Sequence, residues 1–199
     1  MPSMLIRSAD IYLRPLRVTD LDQAMEAIGE SEEDLRPVMY WVEGLTPERE
    51  LAHIHEFQIK RRLGMEYAFG VFRTADRKLL GTVGVHNVSR MHRRGELGYW
   101  VRSSFHGQGI ARAASALMLL FAVDELGLLS VFVRTATFNR ISLRLIKGLG
   151  FRRVGIMRRD LIVQGEPQDT IYFDMLAEQI EQQRDQLLKM AQIKLPAYL

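Results

Sequence analysis

The chain of 199 residues contains no cysteine. That absence excludes disulfides, a thiol nucleophile and any cysteine-ligated metal, and it is compatible with a reducing compartment. Long apolar runs are missing too. The longest, residues 116–123, falls far short of the ~20 residues a membrane-spanning helix needs. Residues 1–7 include no apolar segment of signal-peptide length, so the reading is of a soluble, cytoplasmic protein with no membrane contact. No Gly-x-Ser-x-Gly elbow occurs, which argues against a Ser-His-Asp hydrolase. There is no His-Glu-x-x-His pattern either. His53 and His55 stand two apart on a predicted helix and face different ways, so no metal is expected. The excess of positive charge is small, +3. It suits an anionic ligand or acidic partner and falls short of a nucleic-acid-binding signature.

What the chain does carry is a strand-turn-helix junction. Residues 96–101 alternate in character and lead into Phe105-His106-Gly107-Gln108-Gly109-Ile110-Ala111. Glycines at this spacing leave the first N–H groups of the following helix bare and approachable. With the positive end of the helix dipole they form a site for phosphate or pyrophosphate. A P-loop would need Lys-Ser/Thr after the second glycine, and none follows Gly109. A dinucleotide fingerprint would want Gly or Ala where Arg112 stands, and would sit early in a βαβ array. A plain tight turn is the remaining alternative.

The surroundings give the junction context. Residues 110–126 are apolar nearly all round, as in a helix buried against a sheet, and Gly127 stops them. Residues 130–136 read as a strand, and Asn139-Arg140-Ile141-Ser142 opens a second helix that runs toward Lys147 and Gly150-Phe151. Upstream, residues 11–16 read as a strand and Thr19-Asp20 as a helix cap. Residues 30–45 read as irregular. Thr46-Pro47-Glu48 starts a helix that stops at Gly64, and residues 67–73 and 79–87 pair as a hairpin. Residues 152–159 and 170–175 add two strands. The charged stretch Arg90-Met91-His92-Arg93-Arg94 reads as a loop between strands. Length favours one domain, over residues 1–177, followed by a helical tail, 178–199, that is either solvated or a homodimer or partner contact.

Four segments in order, Glu96 to Trp100, Gly107-Gln108-Gly109-Ile110, Asn139-x-x-Ser142 and Lys147-x-x-Gly150-Phe151, resemble the GNAT superfamily of acyl-CoA-dependent N-acyltransferases, most closely its RimJ/RimL branch. The resemblance extends more loosely over residues 10–177. It implies an α+β fold, a mixed and mostly antiparallel sheet flanked by helices. Acetyl-CoA would be the co-substrate, attacked directly by a free amine. Glu96 would take the amine's proton through water, unless it is merely paired with Arg93 or Arg94. Ser142 would protonate the leaving sulfur, unless it only caps its helix. Asn139 would hold the pantetheine arm, and Val101, Phe105, His106, Gly107, Gln108, Gly109, Ile110 and Ala111 would supply backbone contacts to pantetheine and pyrophosphate.

The chain departs from the family pattern at three positions. Ser104 stands where Gln or Arg is common, and Ile146 where many members place a tyrosine acid. Leu161 stands where some RimL-like members carry a glutamate. Its neighbour Asp160 reaches the site only if the strand bulges. The acceptor this implies is a protein N-terminus, with ribosomal proteins the branch's named substrates. Alternatives are a small-molecule amine (a polyamine, amino acid or drug) and a non-catalytic acyl-CoA sensor.

Overall fold

The computed structural model describes residues 5–195. The outermost residues of the expected domain and tail, 1–4 and 196–199, lie outside that range. Eight strands form one sheet in the order β1-β2-β3-β4-β5-β6-β8-β7. They are β1 (Ile6–Arg7), β2 (Ile11–Arg14), β3 (Tyr67–Arg73), β4 (Leu79–Ser89), β5 (Arg94–Val101), β6 (Ser130–Ala136), β7 (Arg152–Val163) and β8 (Glu166–Leu176). Every neighbouring pair is antiparallel except β5 with β6. The mixed α+β fold expected of the sequence is the fold observed.

Two apolar layers sandwich the sheet. On one face lies α4 (Ile110–Asp124), buried along almost its whole length as its composition demands, against Val83, Val85, Leu97 and Val133. On the other face α1 (Leu21–Glu30) and α3 (Pro47–Arg62) bury Phe72, Leu79 and Trp100. Thr46 caps α3 by accepting the Arg49 N–H at 3.3 Å, with Pro47 at its first position. Side chains alternate across a strand. Leu97, Tyr99 and Val101 therefore face α4, while Glu96, Gly98 and Trp100 share the opposite face.

The structure corrects two sequence expectations. Residues 30–45 are not wholly irregular, since they hold the short α2 (Glu32–Leu35) and a single turn at Tyr40–Val42. The tail is not a solvated helix. It forms α6 (Ala177–Gln182) and α7 (Arg184–Ala191), which pack on α4 and bury Ile180, Leu187 and Ala191 in the same core. Ile180 and Leu187 of its apolar stripe are buried inside the protein, while Leu188 stays exposed. Among the described residues no helix is long and apolar enough to cross a membrane.

Candidate active site

The site begins where the sheet comes apart. The parallel register joins Arg94, Gly95 and Glu96 to Ser130, Val131 and Phe132 and then stops. Yet β5 continues to Val101 and β6 to Ala136. Beyond Glu96 the two strands diverge around a wedge walled by backbone.

At the end of β5 the chain enters the glycine turn, with Gly107 at φ 77° and Gly109 at φ 80°. Only glycine takes these left-handed angles without steric cost. No acceptor among the described residues takes up the N–H groups of residues 107–112. The first engaged is that of Ala113, to the Gly109 carbonyl at 2.9 Å. This run of bare amides opens a helix of 15 residues. Amides and dipole together favour an anion. The loop is pinned from behind. Phe105 is buried, the Ser104 N–H donates to Glu30 Oε1 at 3.0 Å, and the Ser103 N–H donates to Ser31 Oγ at 3.0 Å. His106 Nε2 bonds the Val101 carbonyl at 2.7 Å, so this carbonyl, within one of the expected backbone contacts, is already engaged. Buried Arg102 pairs with Glu26 and Glu30. Burial works to raise the Glu30 carboxyl, but hydrogen bonds from Ser104 and Arg102 bring it down to about 2.

At the wedge, Asn139 Oδ1 accepts the Ser142 N–H at 3.1 Å and caps α5 (Arg140–Gly148). Ser142 Oγ lies 2.8 Å from the Tyr99 hydroxyl. Ile146 is fully buried, and the phenol that meets Ser142 comes from β5. Burial pushes the Tyr99 phenol up, to about 12, against a smaller pull from Ser142. Near neutral pH it keeps its proton and can donate or relay it. Sequence reasoning missed Tyr99, although its alternation with Leu97 and Val101 was the available signal. Arg144 and Lys147 are exposed.

The opposite face holds a cluster of side chains. Glu96 pairs neither with Arg93 nor with Arg94. Arg134 Nε donates to its Oε1 at 2.9 Å and Asn87 Nδ2 to its Oε2 at 2.8 Å. Arg134 also donates to Asp160 Oδ2 at 2.9 Å, an oxygen shared with Thr170 at 2.6 Å and Tyr172 at 3.1 Å. Asp160 arrives through a bulge. The β7 register shifts between Met157 and Leu161, with Arg159 left-handed at φ 52°. Burial disfavours the Asp160 charge, but hydrogen bonds from Thr170 and Arg134 hold the carboxyl below its usual range. Arg134, missed in the sequence, thus joins two of the expected site residues; Ser142, the third, sits on the other face. Among the described residues, no group of three or more His, Asp or Glu is placed to hold a metal.

Residues 10–152 match the family described as the acetyltransferase (GNAT) domain. The Bacillus subtilis protein YdaF, in name a ribosomal N-acetyltransferase, is 33% identical over 106 residues, 53% of this chain. The chain spans 58% of YdaF's length. Bacillus subtilis YjcK, in name an N-acetyltransferase, is 28% identical over 173 residues, 83% of this chain and 93% of YjcK. Among solved structures, Mycobacterium smegmatis RimJ in complex with CoA-disulfide superposes with a TM-score of 0.82 at 22% identity, covering 93% of this chain and 95% of that one. RimL, the ribosomal L7/L12 α-N-protein acetyltransferase, in complex with coenzyme A, gives 0.82 at 16% identity, over 86% and 97%. At those identities the two structures speak for the fold.

Proposed function

The chain belongs to the GNAT acetyltransferase family, and from that premise we propose that it transfers an acetyl group from acetyl-CoA to the N-terminal amine of a protein. One observation carries the reading. The wedge has bare amides and hydroxyls on the α4 face and anchored carboxylates on the other, starting with Glu96 where the strands part, so two reactants of opposite charge can meet across it. The residues fit the co-substrate. The N–H groups of residues 107–112 suit its pyrophosphate, and the Asn139 side-chain amide and the walls of β5 and β6 suit its pantetheine arm. Acetyl-CoA supplies the activated thioester carbonyl. Backbone N–H groups on the β5 wall stabilise the oxyanion, and Ser142 with Tyr99 passes a proton to the departing sulfur. Glu96 and Asp160, held by Arg134, draw the acceptor's ammonium to the opposite face. The Arg134 salt bridge and the Asn87 hydrogen bond hold both Glu96 oxygens in position, and we place Glu96 as an orienting charge for the ammonium.

The protein acceptor is supported by the name of YdaF and by the fold shared with RimL and RimJ. The test is release of CoA from acetyl-CoA with peptides beginning Ser, Ala or Met, set against polyamines, amino acids and aminoglycosides. Turnover with the peptides is the expected result. Turnover with small amines alone moves the function to metabolite or drug acetylation. Silence with all of them, despite acetyl-CoA binding, leaves a sensor.

A further inference from the structure

Next to Glu96 stands a second group suited to proton transfer. His86 on β4 is the cross-strand partner of Glu96, so the two side chains are neighbours on the acceptor face. The imidazole is held in one orientation. Its Nδ1 bonds Glu66, a buried carboxylate just ahead of β3, whose other oxygen lies 3.2 Å from Lys60 Nζ. A Cβ on Gly98 would meet His86 Cδ2 and Nε2 at 2.8 Å, and one on Gly84 would meet Nε2 at 3.1 Å. The ring thus fills the slot that two paired glycines leave open.

That arrangement fixes the tautomer. Burial works against charge on Glu66, but hydrogen bonds from His86 and Lys60 hold its carboxyl below the usual range. An ionised carboxylate only accepts hydrogen bonds, so Nδ1 carries the proton and the lone pair of the neutral ring lies on Nε2. Nε2 has no hydrogen-bond partner among the described residues, and the side chain is 32% exposed. The charged groups around the ring are Glu66, Lys60 behind it and Glu96 across the strand pair.

We propose that His86, oriented by Glu66, is the base that takes the proton from the acceptor's ammonium; this rests on the acetyl-transfer reading above. Nε2 accepts one proton, and the freed nitrogen forms its bond to the thioester carbon. The C–S bond then breaks, and the second nitrogen proton passes to sulfur through Ser142 and Tyr99. His86 returns its proton to water. The products are the acetylated amine, CoA thiol and one proton.

The test pairs kinetics with spectroscopy. With whichever amine the wild type acetylates, H86Q should lower kcat about 100-fold, within the ~10²–10⁴ a general base supplies. It should also abolish the acid limb of the kcat/KM profile and leave acetyl-CoA affinity within two-fold. E66Q should lose about 10-fold. Long-range ¹H–¹⁵N spectra of the wild type without ligand should show the His86 proton on Nδ1, shifting toward the other tautomer in E66Q. An active wild type whose H86Q variant keeps its rate and acid limb overturns the proposal. So does a proton on Nε2 in the wild type. If the wild type turns over no amine, the acetyl-transfer reading fails and the tautomer alone decides whether Glu66 orients His86.

Discussion

The α4 face of the wedge presents backbone amides beside the Ser142–Tyr99 pair, whereas the face we propose for the acceptor presents a cluster of charged side chains. On the first, the working parts are the N–H groups of residues 107–112, aimed by two left-handed glycines and a loop tied to the end of α1. On the second, Glu96 from β5, Arg134 from β6, Asp160 from β7 and Thr170 and Tyr172 from β8 converge through hydrogen bonds. A backbone site tolerates exchange of its side chains but not of its dihedral angles. A side-chain cluster tolerates small backbone shifts but loses its function with one head group. Damage to the two faces should therefore separate in kinetics.

The largest effect is expected from R134A, which leaves Glu96 and Asp160 facing each other without their shared cation. We expect kcat/KM for the amine to fall about 100-fold, roughly 2.7 kcal/mol, with acetyl-CoA affinity unchanged within two-fold. Steady-state kinetics and calorimetry on one preparation check both halves. A loss of cofactor affinity instead would erase the distinction between the faces.

G109A is the complementary break. Alanine at φ 80° costs about 1–2 kcal/mol, which the free turn sheds by leaving the left-handed angle; rebuilding that angle on binding should raise the dissociation constant for acetyl-CoA about 10-fold while the amine's KM holds. Titration of the variant with acetyl-CoA tests it, and an unchanged constant would remove the loop from the cofactor site.

The smallest effect concerns the anchor behind the loop. Folding holds the Glu30 carboxyl at about 2, below its ordinary 4.5. A depressed carboxyl stabilises the fold above the ordinary value and loses that contribution as pH falls through the lowered one. E30Q should therefore be less stable than wild type at pH 7, the gap closing between pH 4.5 and about 2. Urea unfolding at several pH values measures the gap, and a constant difference across the series would contradict it.

How much the sequence disclosed follows the same divide. Gly107 and Gly109 announce left-handed backbone ahead of a buried helix, and Asn139 announces a cap, because these depend on residues close in the chain. Arg134 carries no local signal. Its role depends on the parallel register at Glu96 and on a bulge that brings Asp160 in. Tyr99 was legible only as one step of an alternation, since its partner Ser142 lies on another element. The tail misled for a different reason. An amphipathic pattern shows that one face is apolar but not what covers it, and here α4 does.

That last packing has a consequence for synthesis. α6 and α7 are translated after every strand of the sheet, yet their side chains complete the layer over α4, and Ile193 reaches to 3.7 Å from the Cβ position of Gly109. A nascent chain that has released all eight strands from the ribosome still has the back of its central helix uncovered. The glycine turn at that helix's N-terminus lies beside Ile193, so the layer around it closes only when the residues after β8 have emerged.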